Sequence, residues 1–184
     1  MSRVGKKPIL IPQEVQVKIE GNNIQVKGPK GELSRSFSPE IKIEMKDNQL
    51  LVSLENKESQ LKKINALWGL TNVLVFNMIK GVTEGYQKKL QIEGLGYKVN
   101  LEGEVLVMQL GFSHPVKINP PQGIKFTVEK NIITVSGYDK EEVGQISAKI
   151  RAVKPPEPYQ GKGIRYFGEI VRKKLGKKAV ASGS

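Results

Sequence analysis

The residue types that proteins use most for nucleophilic and metal chemistry are scarce in this chain of 184 residues. It has no cysteine, which excludes a thiol nucleophile, a disulfide and a cysteine-based metal site. Its one histidine, His114, lies in a loop-like sequence and cannot by itself form a multi-histidine metal centre. Asp47 and Asp139, the two aspartates, suit a turn and a helix cap. We therefore expect no catalytic residue, metal site or cofactor, and a protein that is not an enzyme.

Two glycine pairs could cradle a phosphate, but neither has the spacing of a nucleotide-binding motif. Gly161 and Gly163 are followed by Tyr166 where a dinucleotide fingerprint has its third glycine. The second pair, in Gly94–Gly96, leads into a strand-like segment rather than a helix. We interpret both pairs as places where the backbone turns sharply or approaches a neighbour closely.

Positive charge is the most informative feature of the composition. The chain has 30 basic and 18 acidic residues, a formal net charge of +12 and a pI near 9.8. Residues 148–184 contain ten basic and two acidic side chains, whereas residues 83–147 contain seven and eight. Such a concentration of cations is typical of a protein that binds a polyanion, because each neutralised phosphate releases counterions. A solvated charge run is the alternative, but the aromatic residues interleaved with these cations favour nucleic acid.

Residues 151–178 are the segment expected to carry this function. Three prolines between positions 155 and 158 keep the chain from continuing a helix. Lys162 and Arg165 then flank glycine-rich sequence, so that backbone amides and cations can both approach phosphate oxygens. Tyr159 and Tyr166 can stack on an unstacked base or bond a ribose hydroxyl, or they can pack against a sheet.

The elements that position this segment form a tandem repeat. KIEG at 18–21 is echoed by QIEG at 91–94, and KGV at 80–82 is echoed by KGI at 162–164. Each half has strand-like segments with apolar and polar residues alternating, which short turns connect as antiparallel strands. These segments are residues 15–20, 24–27, 41–45, 50–54, 104–110, 126–128 and 132–135.

One amphipathic helix follows the strands of each half. We expect the first helix to begin at Asn56 and to end at Gly81. The second begins with the Asp139–Glu142 capping box and ends at Pro155. The predicted fold class is α+β, with two similar tandem domains that each pack a small antiparallel sheet against one helix, followed by a basic C-terminal tail. The predicted domains are residues 1–82 and 83–170, and the tail, residues 171–184, is predicted to be partly disordered.

No targeting or membrane segment is predicted. The basic amino end has only three apolar residues before Pro12, too few for a signal peptide. The longest apolar region, residues 67–79, is shorter than the roughly 20 residues that span a bilayer. We expect a soluble protein with no membrane partner.

PEPYQGKGIRY at 156–166 resembles the carboxy-terminal signature of the L-six family of large-subunit ribosomal proteins. SRVGKKPI at 2–9, the duplicated halves and the basic tail are similar to that family as well, so that the resemblance covers essentially the whole chain. The one departure is Gln160, where the family usually has a lysine.

The resemblance implies a structural constituent of the large ribosomal subunit that binds ribosomal RNA mainly through its second domain. It implies a location near the sarcin–ricin loop and the stalk base, with ribosomal proteins and translation factors as neighbours. The expected compartment is the cytoplasm, or the plastid stroma for a plastid-encoded chain. The candidate RNA-binding residues lie in the signature segment, the tail and the amino end: Lys154, Tyr159, Gly161, Lys162, Gly163, Arg165, Tyr166, Arg172, Lys173, Lys174, Lys177, Lys178, Arg3, Lys6 and Lys7.

Two other functions are weighed against this one. A DNA-binding protein would present a helix to the major groove, but both predicted helices are amphipathic and the cations follow them. A nuclease would need a glutamate cluster that holds Mg²⁺, and the sequence contains no convergent acidic motif. We therefore expect neither DNA nor a metal ion as a partner.

Overall fold

The structure is a computed structural model that describes residues 5, 7–46, 48–54 and 62–174. The predicted cap at Asn56, the candidate residues Arg3, Lys6, Lys177 and Lys178, and the end of the predicted tail lie outside the described residues. The chain divides into two compact units. The first contains the chain up to Tyr86 together with Gly137–Lys140, and the second contains Gln87–Ser136 and the chain from Glu141 onward.

The first unit contains two three-stranded antiparallel sheets and one long helix. Its elements are β1 (Ile9–Leu10), β2 (Gln16–Glu20), β3 (Asn23–Gly28), β4 (Gly31–Ser36), β5 (Ile41–Lys46), β6 (Gln49–Leu54) and α1 (Lys62–Thr83). One sheet has the order β1-β6-β5 and the other has the order β2-β3-β4. The alternation of apolar and polar residues correctly predicted β2, β3, β5 and β6.

The core of the first unit lies between helix α1 and strands of both sheets. Ile24 and Val26 of β3, Leu50 of β6, and Val75 and Val82 of α1 are almost completely buried in one cluster. This burial stabilises the unit because it removes apolar surface from water. The predicted amphipathic character of the first helix is therefore confirmed.

Helix α1 does not end at Gly81 as the sequence predicts. It continues to Thr83, and Gly81 is a buried residue inside its last turn. A Cβ atom on Gly81 would overlap the carbonyl oxygen of Tyr138, which belongs to the same unit. The glycine therefore permits a close backbone approach, and the left-handed residue after the helix is Gly85, with a φ of 77°.

The second half of the chain also forms two sheets and one helix. Its elements are β7 (Tyr86–Glu93), β8 (Lys98–Glu102), β9 (Val105–Gln109), β10 (Val116–Ile118), β11 (Ile124–Glu129), β12 (Ile132–Gly137), α2 (Lys140–Val153) and β13 (Gly163–Tyr166). The three-stranded sheet has the order β10-β9-β8, and the four-stranded sheet has the order β11-β12-β7-β13.

Helix α2 has the bounds that its flanking residues predict. It begins directly after Asp139 and ends at Val153, before Pro155. Its buried face consists of Val143, Ile146, Ser147 and Ile150. The predicted α+β class with two similar repeats is confirmed, although each repeat builds two small sheets rather than one.

The close approach at Gly81 predicts a loss of stability when a side chain is added there. We expect Gly81→Ala to lower the free energy of unfolding by roughly 1–3 kcal/mol, because the methyl group overlaps the backbone of Tyr138. Urea denaturation followed by circular dichroism measures this difference.

Gly144→Ala is the matched control, since Gly144 lies within α2 and nothing lies within 4 Å of its added Cβ. That variant should be as stable as the wild type or more stable by about 0.5–1 kcal/mol, because alanine favours helix over glycine. Equal stabilities of the two variants would show that Gly81 is not constrained by Tyr138.

Candidate nucleic-acid interface

Residues 154–163 form a closed loop that leads from the end of α2 into the first residue of β13, and we call it the proline loop. The N–H of Ile164 donates to the carbonyl oxygen of Lys154 at 2.8 Å, and these residues close its base. Within the loop, the N–H of Glu157 donates to the Lys162 carbonyl oxygen at 2.8 Å, and the Gly161 N–H donates to the Glu157 carbonyl oxygen at 2.9 Å. The three prolines therefore belong to a folded loop rather than to an extended linker.

Both glycines of the proline loop are required by its backbone. Gly161 has a φ of 77°, which disfavours residues with a Cβ atom. Gly163 has a φ of 141°, and a Cβ on it would lie 2.6 Å from the carbonyl oxygen of Pro155. Gly163 is also buried, so the structure gives it a role in packing. The predicted close backbone approach at this glycine pair is confirmed, and RNA contact by Gly161 and Gly163 stays a prediction.

The described part of the predicted tail returns to the proline loop. The N–H of Lys174 donates to the carbonyl oxygen of Pro158 at 2.8 Å. The Cε atom of Lys173 lies 3.6 Å from the position that a Cβ on Gly161 would take. The exposed cations Arg172, Lys173 and Lys174 therefore lie beside the loop that carries Lys162. We call these four residues the cationic cluster.

Strand β13 places Arg165 beside strand β7, so its side chain is only partly exposed to solvent. Arg165 lies opposite Gln91 in the antiparallel pairing of β13 and β7. Its Nη2 donates to Oε1 of Glu93, and the Nε2 of Gln91 donates to the same oxygen at 3.2 Å. The positive charge of Arg165, predicted to contact phosphate, is thus compensated by a carboxylate. Its phosphate contact stays a prediction.

Tyr166 is half-buried at the end of β13, with two cations over its ring. The Nζ of Lys88 lies 5.2 Å from the ring centroid and the Cζ of Arg151 lies 5.6 Å from it. Tyr159, in contrast, is 54% exposed on the proline loop. Of the two alternatives for the tyrosines, Tyr166 packs within the unit, whereas Tyr159 remains available for stacking.

Glu169 connects Arg151 to the turn after β13. The guanidinium of Arg151 donates from Nη2 to Oε1 at 2.6 Å and from Nε to Oε2 at 3.1 Å. The backbone N–H of Tyr166 donates to Oε2 at 2.9 Å. The hydrogen bonds from Arg151 and then from Tyr166 stabilise the carboxylate, so the pKa of Glu169 lies below its ordinary value of 4.5.

Sequence reasoning missed Lys88 and Arg151 as neighbours of the candidate residues. Lys88 lies on β7, far from the signature in sequence, and it reaches Tyr166 only because β13 pairs with β7. The consecutive lysines Lys88 and Lys89 within a strand were the available signal. That signal could not be used without knowing the strand pairing.

Two candidate residues among the described part of the chain remain, Lys154 and Lys7. Lys154 lies at the base of the proline loop, and its Nζ is 4.8 Å from the centroid of the Phe112 ring. Lys7 is exposed in the first unit, where its carbonyl oxygen accepts a hydrogen bond from Nδ2 of Asn72 at 3.0 Å. Lys7 is therefore not a member of the cationic cluster.

The described residues hold neither a metal-ligating cluster nor a membrane-spanning helix. No group of three or more acidic or histidine side chains there could hold a metal ion. Across the same ranges, no helix is long and apolar enough to cross a membrane.

The comparison with protein families identifies both repeats of the chain. The family model described as ribosomal protein L6 matches it twice, over residues 11–85 and 93–167. The chain belongs to the ribosomal protein L6 family. The two matches confirm the internal duplication, and they place the proline loop and β13 at the end of the second repeat.

Related proteins match the chain over nearly its full length. Each of three such relatives is named large ribosomal subunit protein uL6. The protein of Persephonella marina is 53% identical over 178 residues, covering 96% of this chain and 98% of the relative. That of Nostoc punctiforme is 54% identical with 96% of each covered, and that of Dictyoglomus thermophilum is 51% identical with 96% and 98% covered. As a ribosomal protein of this family, the chain is a structural protein and not an enzyme.

The hydrogen bonds of Glu169 predict a pH-dependent contribution to stability. Because the pKa of Glu169 is lowered on folding, its stabilisation is complete above the unfolded value and is lost as the pH falls through the folded value. We expect Glu169→Gln to be less stable than the wild type by about 1 kcal/mol at neutral pH. The difference should be smaller near pH 3 than at neutral pH, because the stabilisation is lost as the pH falls from the unfolded value towards the lower folded value.

Urea denaturation of both proteins at the two pH values measures this difference. Glu157→Gln is the control, because Glu157 is exposed on the proline loop and its carboxylate forms no ion pair with the described residues. A destabilisation by Glu169→Gln that stays constant between the two pH values would contradict the assigned ionic interaction.

Proposed function

We propose that this protein is a structural constituent of the large ribosomal subunit and binds ribosomal RNA directly through the second unit. The main contact is the cationic cluster, with Tyr159 and Lys154 beside it. The names of the relatives support the assignment to the large subunit. Lys162 on the proline loop, together with the tail cations that lie beside that loop, supports the RNA contact.

The observation that carries the proposal is the contrast between paired and unpaired cations. Ion pairs of the second unit engage Lys117 with Glu102, Arg151 with Glu169 and Arg165 with Glu93. The four cations of the cationic cluster form no ion pair with any residue that the structure describes. Their charges therefore remain available for phosphate, and they are gathered at one loop instead of being dispersed.

The chemistry of this surface suits a folded RNA. Lysine and arginine contacts to phosphate position a protein on a nucleic acid without reading its sequence. Tyr159 provides an exposed ring that can stack on a base or bond a ribose hydroxyl, a contact typical of RNA recognition. A rigid loop with several cations thus suits a scaffold protein that fixes the arrangement of RNA helices.

The resemblance to the family supports a proposal for the place of the protein in the ribosome. We propose that it lies near the sarcin–ricin loop and the base of the stalk, with neighbouring ribosomal proteins and with translation factors docking nearby. Its compartment would be the cytoplasm, or the plastid stroma for a plastid-encoded chain.

Double-stranded DNA is a less suitable partner. Reading a major groove requires an exposed helix whose first residues can approach the phosphate backbone. Helix α2 instead has Glu141 and Glu142 in its first turn, which disfavours that approach. A preference for a DNA duplex over ribosomal RNA in a competition assay would reverse this order.

The salt dependence of RNA binding tests the cationic cluster. We expect Lys162→Ala to weaken binding to large-subunit ribosomal RNA and to reduce the slope of log K against log salt by roughly 0.7–0.9, since one phosphate contact is lost. Filter binding at several salt concentrations measures both quantities.

Lys117→Ala is the matched control, because Lys117 is an exposed lysine of the same unit that is paired with Glu102 at 3.0 Å. That variant should keep the slope of the wild type. If the slope for Lys162→Ala also equals the wild-type slope, Lys162 does not contact phosphate.

A further inference from the structure

The loop between β9 and β10 exposes an aromatic ring that the cationic cluster does not account for. The two strands pair as an antiparallel hairpin in which Met108 lies opposite Val116. Phe112 lies in the connecting loop, and 45% of its surface is exposed. Covering this exposed ring with a ligand would be favourable, because it would remove apolar surface from water.

The loop that carries this ring is anchored at both of its ends. Leu110 is completely buried, and Val116 begins the β10 strand. Between them, Gly111 has a φ of 75°, and a Cβ on it would lie 3.5 Å from Cε1 of Tyr97. The loop therefore leaves the core after Leu110 and returns to the sheet at Val116, and Phe112 lies between these two points.

Lys154 connects this aromatic loop to the proline loop. Its Nζ lies 4.8 Å from the centroid of the Phe112 ring, within the range of a cation–π interaction. Its carbonyl oxygen accepts the hydrogen bond from Ile164 that closes the base of the proline loop. A cation and an exposed aromatic face thus occupy one spot on the second unit, next to the loop that carries the cationic cluster.

We propose that Phe112 is a stacking site for an unpaired RNA base, with Lys154 contacting a phosphate beside that base. This proposal rests on the proposed function, and it extends the interface from the proline loop to the β9–β10 loop. A flat base can stack on the ring, and the phosphate beside it can bind the ammonium group of Lys154, which forms no ion pair with the described residues. An apolar protein side chain would use the ring but would leave the charge of Lys154 without a partner.

The two contacts have different signatures in equilibrium binding to protein-free large-subunit ribosomal RNA. Phe112→Leu keeps an apolar side chain but removes the aromatic face, so we expect about tenfold weaker binding with an unchanged salt slope. Phe112→Tyr should bind as the wild type does, because the tyrosine ring still stacks. Lys154→Gln should weaken binding and reduce the salt slope, since it removes a phosphate contact.

Phe76→Leu is the matched control. Phe76 is a phenylalanine of the first unit with 52% of its surface exposed. That substitution should leave RNA affinity unchanged. Circular dichroism of each variant confirms that it is folded before its affinity is compared.

Fluorescence of Phe112→Trp tests stacking directly. Trp68, the one tryptophan of the chain, is buried in the first unit, where its Nε1 donates to the Val52 carbonyl oxygen at 2.7 Å. We expect ribosomal RNA to quench the emission of the introduced indole, whereas inorganic polyphosphate binds the cations without quenching it. The same titration with the wild-type protein is the control, because Trp68 is its only tryptophan and any change in its emission must come from Trp68.

The outcomes separate this proposal from the proposed function. If the wild type and Phe112→Leu bind ribosomal RNA equally and the introduced indole is not quenched, the stacking site is overturned and the RNA-binding function stands. If Phe112→Leu binds RNA normally but fails to enter large subunits in cells, Phe112 contacts a protein and the stacking site is again overturned. If the wild type does not bind ribosomal RNA, both proposals fail.

Discussion

The candidate interface depends on one close backbone contact, between Gly163 and Pro155. Because Gly163 has no Cβ atom, the chain can pass beside Pro155 and enter β13 directly after the proline loop. Pairing of β13 with β7 fixes one end of that loop, and the hydrogen bond from Ile164 to the Lys154 carbonyl oxygen holds the other end. Any larger residue at Gly163 would separate the two segments. The loop, the returning tail and the position of Lys154 all follow from this contact.

Carboxylates divide the basic residues of the second unit into two groups. Glu93 and Glu169 bind Arg165 and Arg151, so these two arginines stabilise the fold around β13. The cationic cluster has no such partners among the described residues, and three of its members, Arg172, Lys173 and Lys174, are exposed. Net charge alone therefore overstates the number of cations available to RNA. The pairing pattern separates Arg151 and Arg165 from the cluster, whose cations can release counterions when they bind phosphate.

Much of the fold could be predicted because its signals are local in sequence. Alternating apolar residues predicted β2 and β3, and the capping box with Pro155 predicted the bounds of α2. The end of α1 could not be predicted, because Gly81 serves a contact with the distant Tyr138. For the same reason the sequence identified the cations of the signature segment but not their ion pairs or the nearby Lys88. Those contacts depend on the register of β13 against β7.

Sedimentation of cell lysate through a sucrose gradient tests the central claim, that the cationic cluster attaches this protein to the large subunit. The wild-type protein should travel with the large subunit and remain there after a moderate salt wash. A variant with Lys162→Gln, Lys173→Gln and Lys174→Gln should be released at lower salt, because it has lost three phosphate contacts. Wild-type protein that stays with free proteins at low and high salt would contradict the account. So would a triple variant retained as firmly as the wild type.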